Sequence, residues 1–168
     1  MQLSPNFRLE EFQLNDPIPA VCVAAFVTLA RHILEPVRAK FNCPLVITSG
    51  YRSPKANAAA HGQPNSEHIA TPTICACDFY PLPPSPGLVT AQDVFDWMRN
   101  SPGLPYHQLI LEHGVNASVV HVSFNASKYG VRIVLVGATH NSEPYTKADY
   151  VPYQVASNRD DVQAASAG

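Results

Sequence analysis

The sequence is poor in charged residues and contains no long apolar run. Only 14% of its 168 residues are charged and the net charge is −2, whereas globular proteins average about 25% charged residues. Because nucleic-acid binders of the electrostatic type carry a basic stripe, we expect no nucleic-acid partner. No stretch of 18 apolar residues is present, so we predict no membrane insertion. The first twelve residues lack a basic segment followed by an apolar one, and we expect no ordinary secretory signal.

The length and the cysteine content favour one domain with reduced thiols. A chain of this size buries roughly 70% of its unfolded surface and needs no covalent staples. The four cysteines are therefore expected to be free and buried, the alternative being a disulfide-rich binding protein. Cys75 and Cys77 resemble a metal motif. In a strand, however, they share a face that Asp78 does not, so we do not group them with Asp78.

Hydrophobic periodicity predicts a loop-rich α+β domain. Sixteen prolines cluster at turns. A helical apolar stripe predicts one long helix over residues 19–41, which Pro36 is expected either to bend or to divide. A strand over 45–48 precedes a helix that begins at Pro54, and alternation predicts a strand over 74–80.

The second half of the chain predicts one helix and three strands. Thr90 and Asp93 form a capping pattern at the start of that helix. Residues 108–112 and 119–124 are predicted to form a hairpin, and 131–136 a third strand. We therefore predict a small antiparallel sheet with helices packed on it. The domain is assigned to residues 1–137, and 138–168 are assigned to a C-terminal extension with a frayed end.

Several polar residues are candidate ligands of a hydrolytic zinc site. His121 lies in a strict alternation in which residues 119, 121 and 123 share one face, an arrangement that directs an imidazole from a core strand into a site. A hydrolytic zinc site takes about three protein ligands that mix imidazole and carboxylate. His68 and Asp78 are further candidates, and the competing Asp93 and Asp96 fall in a predicted helix.

A set of short motifs resembles the zinc D-Ala-D-Ala carboxypeptidase family of metallopeptidases, especially its small phage-type branch. The resemblance covers roughly residues 1–136. It is carried by LSPNFRLEEF at 3–12, SGYRSP at 49–54, NAA at 57–59, PNSEH at 64–68, Asp78, QLI at 108–110 and VHVS at 120–123. It implies a Hedgehog/D-Ala-D-Ala peptidase-like α+β fold.

The resemblance also implies roles for individual residues. His68, Asp78 and His121 would bind Zn²⁺. Arg52 would bind the substrate's carboxylate or the oxyanion, because a guanidinium stays charged and donates two parallel hydrogen bonds. The remaining substrate-binding residues are Ser66, which would orient the site loop or the substrate or simply cap a turn, and Tyr51.

The sequence departs from the family pattern at two places. Nine residues, IATPTICAC, separate His68 from Asp78, a longer spacing than the family's. Some relatives also place an acid or a histidine three residues before the last ligand, where this chain has Ser118. We assign the general base to Glu112 on the paired strand, since facing residues approach to about 5 Å. His113 and Glu67 are the alternatives.

The resemblance implies zinc-dependent hydrolysis of amide bonds in peptidoglycan stem peptides by a monomeric bacteriophage or prophage lytic protein, an endolysin. Such a protein would be made in the cytoplasm and would act on the cell wall after release or as part of a virion. The alternative is a non-catalytic virion, tail or peptidoglycan-binding protein with the same fold, which the serine at position 118 favours. The bond that is cut is left open.

Overall fold

The computed structural model describes residues 1–14, 16–85, 87–113, 118–137 and 150–152. These residues form two sheets, a set of helices and their connections. The strands are β1 (Gln2–Ser4), β2 (Phe7–Arg8), β3 (Leu45–Ser49), β4 (Ile74–Pro81), β5 (Gln108–His113), β6 (Ser118–Asn125), β7 (Ile133–Gly137) and β8 (Tyr150–Pro152). The α-helices are α1 (Val23–Leu29), α2 (Glu35–Phe41), α3 (Pro54–Ala59) and α4 (Ala91–Arg99). The α+β class is confirmed.

The long helix predicted near the N-terminus is helical throughout but not uniform. A 3-10 turn, Ala20–Cys22, leads into α1, and a π-helical segment, Ala30–Leu34, joins α1 to α2. The π segment lies just before Pro36, whose ring clashes with the carbonyl four residues earlier and whose nitrogen donates no hydrogen bond. The irregularity expected at Pro36 is therefore present as a π-helical segment that separates α1 from α2.

That helical segment is long and apolar enough to cross a membrane by length and composition alone. Its apolar stripe is nevertheless used inside the domain, because the stripe is fully buried against the sheet and the N-terminal strands. The core-facing side chains are Phe26, Leu29, Ile33, Leu34 and Val37. A core helix of a globular domain has this composition.

The main sheet has six strands in the order β3-β4-β6-β5-β7-β8. The predicted hairpin of β5 and β6 is present, and β4 pairs antiparallel with both β3 and β6. The sheet is not wholly antiparallel, however, because β7 runs parallel to β5. After β6 the chain crosses the end of β5, and the Ile133 amide donates to the His107 carbonyl at 2.8 Å. The direction of β7 follows from this return to the beginning of β5.

The two faces of the sheet differ in character. On β4, Cys75, Cys77 and Phe79 are buried in the hydrophobic core with α1 and α4. All four cysteines are free and buried, as predicted, and burial raises the pKa of the Cys75 and Cys77 thiols well above the usual range. Asp78 and its neighbours on the opposite face are left for the polar site.

Candidate metal centre

Two adjacent strands position two of the predicted zinc ligands. Asp78 on β4 and His121 on β6 are direct partners in the antiparallel register. Residues directly opposite each other in such a pair project from the same face, about 5 Å apart. His121 Nδ1 accordingly lies 2.8 Å from Asp78 Oδ1. The alternation predicted for residues 119–123 therefore places the imidazole as expected.

The third predicted ligand, His68, is held by backbone contacts of its loop. Its amide donates to Ser66 Oγ at 3.3 Å, and its carbonyl accepts from the Arg52 amide at 3.0 Å. Its Nδ1 lies 2.7 Å from the Gly50 carbonyl oxygen. A side chain at Gly50 would collide with the Phe12 backbone, 2.4 Å from the ideal Cβ position. Glycine at this position allows the close approach that leaves the carbonyl facing His68.

The three side chains converge on one point. His68 Nε2 lies 3.2 Å from Asp78 Oδ1 and 3.2 Å from His121 Nδ1. Tetrahedral ligands at 2.0–2.2 Å from zinc are separated by about 3.3 Å, so these spacings fit that ion. His68 Nδ1 must carry a proton to donate to the Gly50 carbonyl, so the lone pair of Nε2 faces the centre. A hydrogen bond to the second ring nitrogen commonly orients a metal-binding histidine in this way. The residues present therefore fit a zinc ion.

The electrostatics of the cluster also suit a cation. Burial alone would raise the pKa of Asp78, but the charges and hydrogen bonds of His68 and His121 hold it well below the usual range. Asp78 is thus ionised. For His121, burial lowers the pKa, and Asp78 more than reverses this by its hydrogen bond and its charge. An ionised carboxylate shared by two imidazoles concentrates negative charge at the point where the three ligand atoms meet.

Arg52 lies beside the cluster, as predicted. Its Nη2 donates to Asp78 Oδ2 at 3.2 Å, and its Nε donates to Ser49 Oγ at 3.0 Å. These contacts fix the guanidinium plane at the wall of the cleft. Arg52 therefore binds Asp78 Oδ2, whereas both imidazoles contact Oδ1. Its guanidinium presents positive charge to a molecule in the cleft.

Glu112, the predicted general base, lines the same cleft. It lies opposite Val119 in the β5–β6 pair, two residue pairs along from Ile110 and His121 and therefore on the same face. Burial and the charge of Asp78 raise the pKa of Glu112 against the lowering effects of His121, Tyr150 and Arg52. A raised pKa brings a carboxylate closer to the range in which it exchanges protons at neutral pH.

The two alternative bases are placed differently. His113 follows Glu112 on β5 and so projects from the opposite face, where its Nδ1 lies 3.0 Å from Ser118 Oγ. Glu67 borders the cleft, but its Oε1 accepts a hydrogen bond from Asn125 Nδ2 at 2.6 Å. His107 Nδ1 lies 2.9 and 3.0 Å from its two oxygens. The geometry favours Glu112 over both.

Of the two remaining predicted site residues, one lies at the site and one does not. Ser66 lines the cleft and accepts the His68 amide, so its hydroxyl caps the turn that carries the ligand. Tyr51, predicted to bind substrate, is instead buried in the hydrophobic core. Its pKa is raised by burial, with smaller contributions from Cys22 and Asp16. Because the backbone alternates after Gly50, Arg52 faces the cleft and Tyr51 faces away.

The cleft around these residues has a volume of about 630 Å³, within the range of roughly 300–1,000 Å³ typical of ligand sites. One wall is a polar loop, and the other is the sheet. The loop side includes His61, Gln63, Asn65 and Ser66, and the sheet side includes Gln108, Ile110, Leu135, Tyr150 and Pro152. Its described lining brings together the candidate metal site, the Arg52 guanidinium and the Glu112 carboxylate in a single groove.

The fold and the site define a metallopeptidase-like centre, and the family follows from the sequence. Residues 5–102 match the model of the family described as Peptidase M15. Because this match spans more than half of the chain, the protein belongs to the peptidase M15 family, which implies a metallopeptidase. No curated protein and no solved structure shows a significant match. The match includes Arg52, His68 and Asp78 and ends before Glu112 and His121.

The contribution of the C-terminal strand was missed by sequence reasoning. Tyr150 and Pro152 fall in the stretch assigned to an extension, yet β8 pairs with β7 and both residues line the cleft. The short alternating segment YVPY was the available signal, but three residues carry little periodicity. The expected frayed end and the turn at 114–117 lie outside the described residues.

Proposed function

We propose that the protein is a zinc-dependent peptidase that hydrolyses amide bonds in peptidoglycan stem peptides. The observation that carries this proposal is the convergence of His68 Nε2, Asp78 Oδ1 and His121 Nδ1 within 3.2 Å of one another. A buried set of this kind has the ligand types and spacing of a catalytic zinc site. The peptidoglycan substrate and the phage-type lytic role rest on the motif resemblance.

His68, Asp78 and His121 would hold the zinc ion, which would supply Lewis-acid activation of water and of the scissile carbonyl. Glu112 takes the proton of the attacking water on its carboxylate and returns it to the leaving amine, a role for which its raised pKa is suited. Arg52 stabilises the negative charge that develops on the carbonyl oxygen or binds a substrate carboxylate. Its contacts with Ser49 and Asp78 hold it in place before substrate arrives.

The walls of the cleft support an extended peptide as the substrate. Gln63, Asn65 and Gln108 present side-chain amides that both donate and accept hydrogen bonds, as peptide groups require. Ile110 and Leu135 provide an apolar patch on the sheet side. A short peptide with small apolar side chains matches this combination.

The proposal is tested by digestion of purified peptidoglycan with the zinc-loaded protein. We expect release of soluble fragments that a chelator abolishes and that added zinc restores. Mass spectrometry of the fragments then distinguishes a terminal D-Ala-D-Ala bond, the L-Ala-D-Glu bond and a cross-link. Asp78→Asn, shown to be folded by circular dichroism, is the control. Lack of chelator-sensitive release by a folded, zinc-loaded sample would contradict the proposal.

The non-catalytic alternative is favoured by Ser118, whose hydroxyl contacts His113 and lies on the far side of the sheet from the cluster. Glu112 counts against it, because a carboxylate with a raised pKa borders the cleft from the adjoining strand. Binding to intact peptidoglycan without any hydrolysis would favour the alternative.

We further propose that the protein acts as a monomer at the cell wall, after release or as part of a virion.

A further inference from the structure

The C-terminal strand β8 forms part of the wall of the cleft. It pairs antiparallel with β7, with Pro152 opposite Leu135 and Tyr150 opposite Gly137. Because alternate residues share a face, Tyr150 and Pro152 project from the face that carries Leu135, Ile110 and His121. All of them line the cleft. These residues lie outside the part of the chain that matches the family, so family membership assigns no role to Tyr150.

Tyr150 makes a specific contact with the predicted base. Its hydroxyl donates to Glu112 Oε1 at 2.9 Å in a partly buried setting. Two neighbours of Glu112 on the same face are aliphatic, since Ile110 precedes it by two residues and Val119 lies opposite. Neither side chain can donate a hydrogen bond. The phenol therefore supplies a hydrogen bond that these two aliphatic neighbours cannot supply.

Orientation matters for a general base, because proton transfer requires the accepting oxygen to lie within hydrogen-bond reach of the water. A glutamate has three rotatable side-chain torsions, and its terminal torsion is broad. Holding Oε1 fixes the carboxylate plane and thereby directs Oε2. A hydrogen bond to a charged group is also among the stronger polar contacts in proteins.

We propose that Tyr150 is a positioning residue that holds Glu112 in the orientation needed for proton transfer, which makes β8 a part of the catalytic cleft. This inference rests on the proposed function, in which Glu112 is the base. It predicts that Tyr150 acts on turnover through Glu112 and neither on metal binding nor on substrate affinity.

The first test is the substitution Tyr150→Phe, which removes only the hydroxyl. We expect kcat to fall about 10- to 100-fold, the effect of losing a hydrogen bond to a charged group, with KM and zinc content unchanged. Tyr129→Phe is the matched control, because Tyr129 is 75% exposed and lies outside the cleft. It should leave activity unchanged. A tyrosine that merely anchors the edge strand would change stability and leave kcat unaffected.

A double-mutant cycle then asks whether Tyr150 acts through Glu112. In a Glu112→Gln background, Tyr150→Phe should lower kcat by less than about 2-fold, because residues that act as a unit are not additive. An equal loss in both backgrounds, or no loss in the wild-type background, would overturn the inference. If Glu112→Gln itself keeps full activity, the assignment of the base fails and the inference fails with it.

A spectroscopic measurement separates failure of this inference from failure of the proposed function. With ¹³Cζ-labelled tyrosine, the Tyr150 resonance should shift on Glu112→Gln, and the Tyr129 resonance should not. This result is independent of turnover. A protein without peptidase activity whose Tyr150 resonance shifts would refute the proposed function and keep the contact. An unmoved Tyr150 resonance would overturn the inference whatever the activity.

Discussion

Two buried histidine–carboxylate clusters lie side by side in this protein, and they arise from consecutive residues. His68 joins Asp78 and His121 in the candidate metal centre. Glu67, the preceding residue, turns toward His107 and Asn125 instead. Both clusters are almost inaccessible to solvent. By composition either one could be taken for a metal site.

The clusters differ in what their polar atoms face. The Glu67 carboxylate accepts hydrogen bonds from Asn125 and His107, and a further bond from Ser123 helps to lower its pKa against the opposing effect of burial. Its charge is therefore compensated by donors. In the other cluster, two imidazole nitrogens only 3.2 Å apart face the same carboxylate oxygen. One proton cannot satisfy all three atoms, whereas a cation can.

The metal centre is thus distinguished by ligand atoms that converge on one point, and the Glu67 cluster by hydrogen-bond donors that surround its carboxylate. The Glu67 cluster joins the loop of His68 to the end of β6, so it supports the metal centre without belonging to it. Removal of the carboxylate charge from the metal centre and from the Glu67 cluster should therefore have different effects.

The largest expected contrast is in zinc affinity. Asp78→Asn removes a ligand, so zinc affinity should fall by more than the roughly 10- to 100-fold typical of losing an outer partner. Peptidase activity should fall below detection. Glu67→Gln should retain stoichiometric zinc. Titration with a competing chelator measures both variants, and equal losses of affinity would erase the proposed distinction between the two clusters.

The next effect concerns Arg52, which contacts the metal cluster through the outer oxygen of Asp78. Arg52→Gln should lower kcat about 100- to 1,000-fold at saturating zinc, as removal of an oxyanion donor does. Arg52→Lys keeps the charge but loses the planar fork and should recover only part of this loss. Steady-state kinetics on a stem-peptide substrate measure both. Wild-type turnover by Arg52→Gln would exclude Arg52 from the reaction.

A smaller effect is expected on the stability of the zinc-free protein. Glu67→Gln leaves buried donors of His107 and Asn125 with poorer partners, which costs about 1–3 kcal/mol. Urea unfolding in chelator measures the change without the contribution of bound metal. Glu10→Gln is the control, since Glu10 is an exposed carboxylate paired with the N-terminus. Removal of this charge should leave stability nearly unchanged, because solvent screens exposed ion pairs.

The smallest expected effect is on the stability contributed by Glu35, a carboxylate that accepts several hydrogen bonds far from the site. Glu35 accepts from Ser4 Oγ at 2.7 Å and from the Asn6 amide and side chain. Burial raises its pKa, but these hydrogen bonds lower it below the usual 4.5. Its contribution, about 1 kcal/mol, is therefore present above pH 4.5 and lost as pH falls through the lowered value.

Denaturant unfolding of wild type and Glu35→Gln measures this dependence. The stability difference should be constant near neutral pH and should vanish on acidification. A difference that persists at pH 2 would show that the contact stabilises through packing and not through the charge of Glu35.

Local sequence signals predicted much of the fold. Pro54 starts α3 as predicted. Thr90 and Asp93 form the expected capping box of α4. The alternation in β4 separated the cysteines from Asp78. Each of these features depends on residues that are close in sequence, so each can be predicted before the fold is known.

Features that depend on distant parts of the chain were not predictable in the same way. The parallel pairing of β7 with β5 depends on where the chain returns after β6. The contribution of β8 depends on a strand of three residues that gains its hydrogen bonds from a neighbouring strand. The face on which Tyr51 projects depends on the course of the backbone after Gly50. The motif resemblance assigned both Tyr51 and Arg52 to the site, whereas the loop after β3 places Tyr51 in the core and Arg52 at the cleft.

The central claim is that one zinc ion is bound by His68, Asp78 and His121. Anomalous diffraction at the zinc absorption edge, from crystals of the zinc-loaded protein, tests it most directly. We predict one strong peak about 2.0–2.2 Å from His68 Nε2, Asp78 Oδ1 and His121 Nδ1. A peak at other side chains, such as Glu67 and His107, or no peak in a zinc-loaded crystal, would contradict it.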